Sequence, residues 1–161
     1  MTGAGALTLD ASSGISVLNN LTTAGLTTLN ADTDPTGGGD LLVAAGTTLN
    51  TLGNGLSITA NDLDLQGSLQ AGAAFLIDSD GTGIGLGGTT VGGGFNVSGT
   101  ELQRITTSAL ELDTTGSITV NGISALNSAN ANDITLNAGN AVLFDTAPQP
   151  STHWQCWPTT E

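Results

Sequence analysis

The sequence predicts an all-β chain, a right-handed parallel β-helix of about six coils with three short strands per coil. Three observations predict it. Pairs of aliphatic residues flanking one small or polar residue recur along the chain, the period-2 alternation of a strand with one buried face. Gly, Asn, Asp and Ser fill the gaps between them, and these residues tolerate turns and positive φ. Longer units resemble one another in the same direction, and the later ones begin roughly 22–28 residues apart, within the solenoid range.

The strand triplets follow in order. Leu7-Thr8-Leu9 and Ile15-Ser16-Val17 come first, then Leu56-Ser57-Ile58 and Leu63-Asp64-Leu65. Ile84-Gly85-Leu86 and Phe95-Asn96-Val97 occupy the middle; Leu110-Glu111-Leu112, Ile118-Thr119-Val120 and Ile134-Thr135-Leu136 close the series. Strands of about three to five residues are expected. Residues 100–105 are the best helical stretch, one or two turns at most. The expected interior is Leu9, Val17, Leu65, Leu86, Val97, Leu112, Val120 and Leu136.

The longer units begin at Leu7, Leu56, Leu110 and Ile134. A flat sandwich would need tight hairpins and longer strands. Repeats that match in the same direction suit parallel stacking instead. Six coils at about 4.8 Å each make a rod roughly 30 Å tall. Asn and Thr at equivalent corners are expected to form ladders along it. Two segments break the pattern. Residues 32–40 read as a bulging loop, with Pro35 inside it. Residues 148–161 change character, with Pro148, Pro150, Pro158 and both tryptophans, Trp154 and Trp157. The expected division is therefore a repeat segment over 1–147 and a non-repetitive cap or linker over 148–161.

Composition narrows the function. Fourteen acidic residues face a single cation, Arg104, and the formal net charge is -13. Such a chain has almost nothing to neutralise phosphates, which argues against nucleic acid and anionic lipid as partners. The acidity is spread along the chain, which suits solvation and self-repulsion. Cys156 is the one cysteine, so no internal disulfide forms. No basic n-region precedes an apolar run at the start, so no secretory signal is read there. No membrane insertion is expected either, since the longest apolar stretch, residues 71–77, is far too short to span a bilayer.

Residues 83–90, then Phe95-Asn-Val-Ser-Gly-Thr-Glu-Leu-Gln-Arg-Ile-Thr, Leu110-Glu-Leu and Gly116-Ser-Ile-Thr-Val resemble the repeats of filamentous-haemagglutinin-like large exoproteins. The resemblance covers roughly residues 5–147. It implies a secreted surface adhesin with a long right-handed β-helical fibre, exported by two-partner secretion or an autotransporter-type route. The chain is far shorter than typical members and lacks their amino-terminal secretion domain. No binding residue carries over, because the repeats hold scaffold positions only. The expected partners are neighbouring coils, copies of the same chain stacked end to end, and host-surface or biofilm components.

Candidate sites are few. Asp32, Asp34 and Asp40 cluster oxygens that suit calcium, but their spacing departs from an EF-hand, and an exposed acidic loop explains them better. Asp78 and Asp80 form a similar pair, explained equally well as turn residues. The glycines of residues 81–94 lack both a calcium nonapeptide and a phosphate-loop lysine, and are expected to allow tight corners. The pairs Asp62/Asp64 and Glu111/Asp113 stand at i, i+2, where two carboxylates could flank a glycosidic bond. No aromatic platform or basic residue accompanies them in the sequence, so no catalysis and no cofactor are expected. Arg104 is expected to pair with Glu101, Glu111 or Asp113. His153 and Cys156 are two ligands, short of a zinc site. Thr22-Thr23, Thr47-Thr48 and Thr106-Thr107 raise an ice-binding face, but neighbouring residues point to opposite sides of a strand.

Overall fold

The computed structural model describes residues 3, 5–34, 36, 38–88, 94–145 and 154–156. Among these residues it is all-β, with three parallel sheets, no closed barrel and one short helix. The strands are β1 (Leu7–Asp10), β2 (Ile15–Val17), β3 (Leu21–Thr22), β4 (Thr27–Asn30), β5 (Leu41–Val43), β6 (Thr48–Asn50), β7 (Leu56–Ala60) and β8 (Leu63–Leu65). After them come β9 (Ser68–Asp78), β10 (Ile84–Gly87), β11 (Phe95–Val97), helix α1 (Gly99–Gln103), β12 (Ile105–Thr114), β13 (Ile118–Asn121), β14 (Ala131–Ala138), β15 (Val142–Phe144) and β16 (Trp154–Cys156).

All nine expected triplets lie in strands. The length expectation is exceeded in three places, and β3 falls short of it at 2 residues. β9 runs for 11 residues, β12 for 10 and β14 for 8. The first part of β9 pairs with β6 and the last part with β7, so one strand serves two neighbours.

The main sheet runs in the order β1, β4, β7, β9, β12, β14, β16, every pair parallel. Its register aligns Leu9, Leu29, Ile58, Leu76, Leu112 and Leu136 in one column. From Leu29 onward this column is buried. Burying each of these side chains stabilises the fold by about 1.5–3 kcal/mol over leaving it exposed. Leu9 corrects the expected interior. It stands 36% exposed, because β1 has a paired strand on one side only among the described residues. The other seven expected core residues are buried. The starts of the self-similar units, Leu7, Leu56, Leu110 and Ile134, share a second column of the same sheet.

The second sheet is β2, β5, β8, and the third is β11, β10, β13, β15. Here the spatial order departs from the chain order. β11 follows β10 in sequence, yet lies on the β8 side of it, where the Asn96 N–H donates to Asp62. The step from Ala74 to Leu110, the longest between paired strands of the main sheet, therefore carries an extra strand and the helix. On its other side, β10 runs close against β13 at Gly87. Its φ is +99°, and a Cβ there would collide with the Asn121 carbonyl.

Helix α1 overlaps the expected 100–105 stretch, starting one residue earlier and ending two residues earlier. Ser98 caps it, accepting from the Glu101 N–H at 3.2 Å, while Glu101 Oε2 accepts from the Ser98 N–H at 2.8 Å. Two side-chain pairs join β6 to β9. Asn50 Nδ2 donates to Gln70 Oε1 at 3.0 Å, and the Thr48 and Ser68 hydroxyls meet at 3.1 Å. Residues 154–156, set apart by their composition, add a last parallel strand beside β14. The prolines of the tail, Trp157 and His153 lie outside the described residues, as do the side chains of Trp154 and Cys156.

Candidate functional site

The acidic loop over 32–40 does not gather its carboxylates. Asp32 is turned inward, only 4% exposed, and its Oδ2 accepts from the Ser79 hydroxyl at 2.7 Å. Asp34 stays exposed and closes its own turn, accepting from the Thr36 hydroxyl at 2.7 Å. Asp40 accepts from Asn61 Nδ2 at 3.1 Å. Among the described residues, no group of three or more His, Cys, Asp or Glu is placed to hold a metal ion. Pro35 and Gly37 lie outside those residues.

The corner after β9 is built differently. Asp78 ends the strand and faces inward at 6% exposure, in register with Ala60 on β7. Its Oδ2 accepts from the Gly83 N–H at 2.9 Å and the Thr114 hydroxyl at 2.7 Å. Thr114 Oγ1 in turn accepts from the Gly116 N–H at 2.9 Å. Asp78 Oδ1 receives no donor among the described groups, and neither does Asp32 Oδ1. Asp80 closes the turn, its Oδ1 accepting from the N–H and hydroxyl of Thr82, both at 2.9 Å. Burial pushes the Asp78 carboxyl above the ordinary range, and the neighbouring Asp80 adds to it. Asp80 moves the other way: burial would raise it, but hydrogen bonds from Thr82 and from the Asp78 carboxyl outweigh that.

The first carboxylate pair separates. Asp64 is exposed between buried Leu63 and Leu65, and it accepts from Gln66 Nε2 at 2.8 Å. Asp62 precedes the strand. Its Oδ1 accepts from the main-chain N–H groups of Leu63 at 2.9 Å and Asn96 at 2.8 Å. Burial raises its carboxyl, helped by the negative charges of Asp40 and Glu101, against those two hydrogen bonds. The pair expected to face one side together therefore has one member committed to the backbone.

Glu111 and Asp113 do share the outward face of β12, alternating with buried Leu110, Leu112 and Thr114. Register places Phe75 and Ile77 on one side of them and Thr135 and Asn137 on the other. Phe75 is 41% exposed, so an aromatic ring does stand beside this pair, contrary to the sequence expectation. The signal was hidden because residues 73–77 are apolar without alternation, which leaves their facing unreadable.

Arg104 also departs from expectation. Its Nη1 donates to the Leu65 carbonyl at 2.6 Å, not to a carboxylate. Glu101 Oε1 accepts from the Leu65 N–H at 3.0 Å. These two side chains and Asp62 thus serve the outer edge of β8, where the second sheet ends. The threonine pairs point to opposite sides as expected: Thr23, Thr47 and Thr107 are buried, while Thr22, Thr48 and Thr106 are not. By register Thr22 lies beside Asn50, Thr48 beside Ser68 and Thr106 beside Gln70, so these pairs form no flat threonine array. Residues 89–93 of the glycine-rich stretch lie outside the described residues.

No helix among the described residues is long and apolar enough to cross a membrane. No family model, no curated protein and no solved structure matches the chain.

Proposed function

We propose that this chain is a structural segment of a secreted bacterial surface fibre or adhesin stalk, a right-handed parallel β-helix without catalysis. One observation carries the reading. The column Leu9, Leu29, Ile58, Leu76, Leu112, Leu136 joins six strands in parallel register, each reached by a connection that leaves the sheet and returns. Parallel crossovers of this kind are right-handed almost without exception. Stacked repeats bury a continuous core and grow in one dimension, which suits a stalk. The buried carboxylates hold the scaffold's own backbone and hydroxyl groups, which leaves Glu111 and Asp113 as the pair free to meet a substrate. The resemblance to filamentous-haemagglutinin-like repeats supports a fibre outside the cell, with host-surface or biofilm components as its partners.

Two assays test it together. X-ray scattering in solution is expected to give an elongated particle. A panel of polysaccharides is expected to remain intact. Hydrolysis of one of them, abolished by Glu111→Gln or Asp113→Asn, overturns the structural reading in favour of a carbohydrate-active enzyme.

A second reading is a filament subunit that stacks end to end on copies of itself. The exposure of Leu9 on the outer side of β1 favours it, since an unpaired edge is a template for another strand. The net charge of -13 opposes stacking, but charge repulsion is screened beyond about 8 Å at physiological salt. Light scattering at low and high salt separates the two: growth of the particle with salt supports the filament, and a constant mass supports the stalk segment.

A further inference from the structure

We propose that the outward face of the main sheet around Phe75, Glu111, Asp113 and Asp133 is a binding surface for a cationic, amine-bearing polysaccharide. The assignment rests on that face alone and applies to a stalk segment and a filament subunit alike. Register puts Phe75 on β9 between Ser57 of β7 and Glu111 of β12, with Thr135 of β14 beyond. Asp113 stands two residues along from Glu111 on the same face, and Asp133 pairs with Ala109 in the row before. Neighbouring strands lie about 4.8 Å apart and alternate residues about 7 Å, so ring, carboxylates and hydroxyls form a grid. Carboxylates at the corners and on the other sheets serve the scaffold. Asp34 accepts from Thr36, Asp64 from Gln66 and Asp145 from Asn121. Those on the outward face of the main sheet, Asp10, Glu111, Asp113 and Asp133, accept no hydrogen bond from the described residues.

Charge fixes the sign of the occupant. Phe75 is 41% exposed, and the face of an aromatic ring is the negative part of its quadrupole. Glu111 beside it is negative as well, so neither group stabilises the other, and a cation set between them is attracted by both. The chain has no such cation to offer, because its one Lys or Arg, Arg104, donates to the Leu65 carbonyl. The net charge of -13 repels anionic polymers and headgroups. A bare metal ion does not fit, since no group of three His, Cys, Asp or Glu among the described residues is placed to hold one. A basic peptide fits less well than a glycan. Extended peptides join sheets at an edge through main-chain hydrogen bonds, and β9 and β12 are already paired on both sides. An amino-sugar chain needs no backbone partner. Its ammonium groups meet the carboxylates, a sugar ring lies on Phe75, and its hydroxyls meet those of Ser57 and Thr135.

Titration calorimetry of the whole chain at about pH 5.5, where carboxylates in general are ionised and sugar amines protonated, tests this. The probe is a glucosamine hexamer, compared with its fully N-acetylated form and with hexalysine. The glucosamine hexamer is expected to bind, and the N-acetylated hexamer, which keeps the rings without the charge, to bind at least about tenfold more weakly. Phe75→Leu is expected to weaken binding about fivefold, and Phe75→Tyr, which keeps a ring, to leave it unchanged. Glu111→Gln and Asp113→Asn are each expected to weaken it by about fivefold as well. Asp64→Asn removes the same charge from the second sheet and is expected to change nothing, which separates this face from the acidity of the whole chain. Absence of binding by the glucosamine hexamer overturns the proposal. So does an Asp64→Asn loss equal to that of Asp113→Asn, or a Phe75→Leu variant that binds as the natural chain does. Hexalysine binding as tightly as the glucosamine hexamer, with the same dependence on Phe75, also overturns it and assigns the face to a basic peptide.

Discussion

Arg104 and Leu65 are joined by a 2.6 Å hydrogen bond from the guanidinium to the main-chain carbonyl, and Glu101 takes the N–H of the same leucine. Ladder hydrogen bonding ends at β8, where the second sheet stops. The edge is finished by side chains from α1 and its C-cap in place of another strand. The capping box places Glu101 so that one carboxylate satisfies both the helix start and the strand edge.

Replacing Glu101 tests that double duty. Glu101→Ala leaves the Ser98 and Leu65 N–H groups without their acceptor and is expected to cost about 1–3 kcal/mol. Glu101→Gln keeps one acceptor oxygen and is expected to cost less. Urea unfolding measures both, and equal costs would mean that the Leu65 contact contributes nothing.

The long column predicts a gradient of sensitivity. Leu76 is fully buried at its middle, whereas Leu9 is 36% exposed at its end. Leu76→Ala is expected to cost about 2–5 kcal/mol. Leu9→Ala is expected to cost under about 1 kcal/mol, since its surface is already partly wet. Thermal or urea unfolding of the two variants reads the difference.

Gly87 and Gly46 separate strain from collision. Both have positive φ, but a Cβ at Gly46 meets open space while one at Gly87 meets the Asn121 backbone. Gly46→Ala is expected to cost about 1–2 kcal/mol for its conformation alone. Gly87→Ala is expected to cost clearly more, because β10 must also move away from β13. A smaller loss at Gly87 than at Gly46 would contradict the close packing of those strands.

Asp62 sets a pH dependence with a definite sign. Its folded carboxyl is raised by burial, so its contribution is fully present below 3.8 and is lost as pH rises through the folded value. Asp62→Asn keeps an oxygen for the Leu63 and Asn96 N–H groups and removes the charge. The variant is expected to gain stability relative to the natural chain as pH rises through that value, and to show no gain below the ordinary range. A gain that shrinks with rising pH would reverse the assignment.

Much of the fold was legible because alternation is a local signal. Leu63-Asp64-Leu65 and Ile134-Thr135-Leu136 declare their buried faces within three residues. β4 was harder, because Thr27 and Leu29 point inward and a threonine at a core position breaks the aliphatic count. β9 was misjudged in length because its apolar residues fall on both faces. The placement of β11 beside β8 was not legible at all, since it depends on Asp62 reaching Asn96 across 34 residues of chain. The roles of Asp62, Glu101 and Arg104 are long-range for the same reason. Their partners are main-chain groups, which leave no mark in the sequence.

The central claim is that strands far apart in sequence stack in parallel, one step at a time, along a single axis. Spin labels on outward positions of the main sheet measure it directly, in a background of Cys156→Ser. One label stays at Thr135, and the second moves from Thr8 to Thr28 to Ser57. Register places these on the first, second and third strands of the sheet. With about 4.8 Å between neighbouring strands, the Thr8 to Thr135 backbone separation is expected to be about 24 Å and to shorten by about 4.8 Å at each move. Distances that stay constant, or that lengthen as the label moves from Thr8 to Ser57, would contradict the stack.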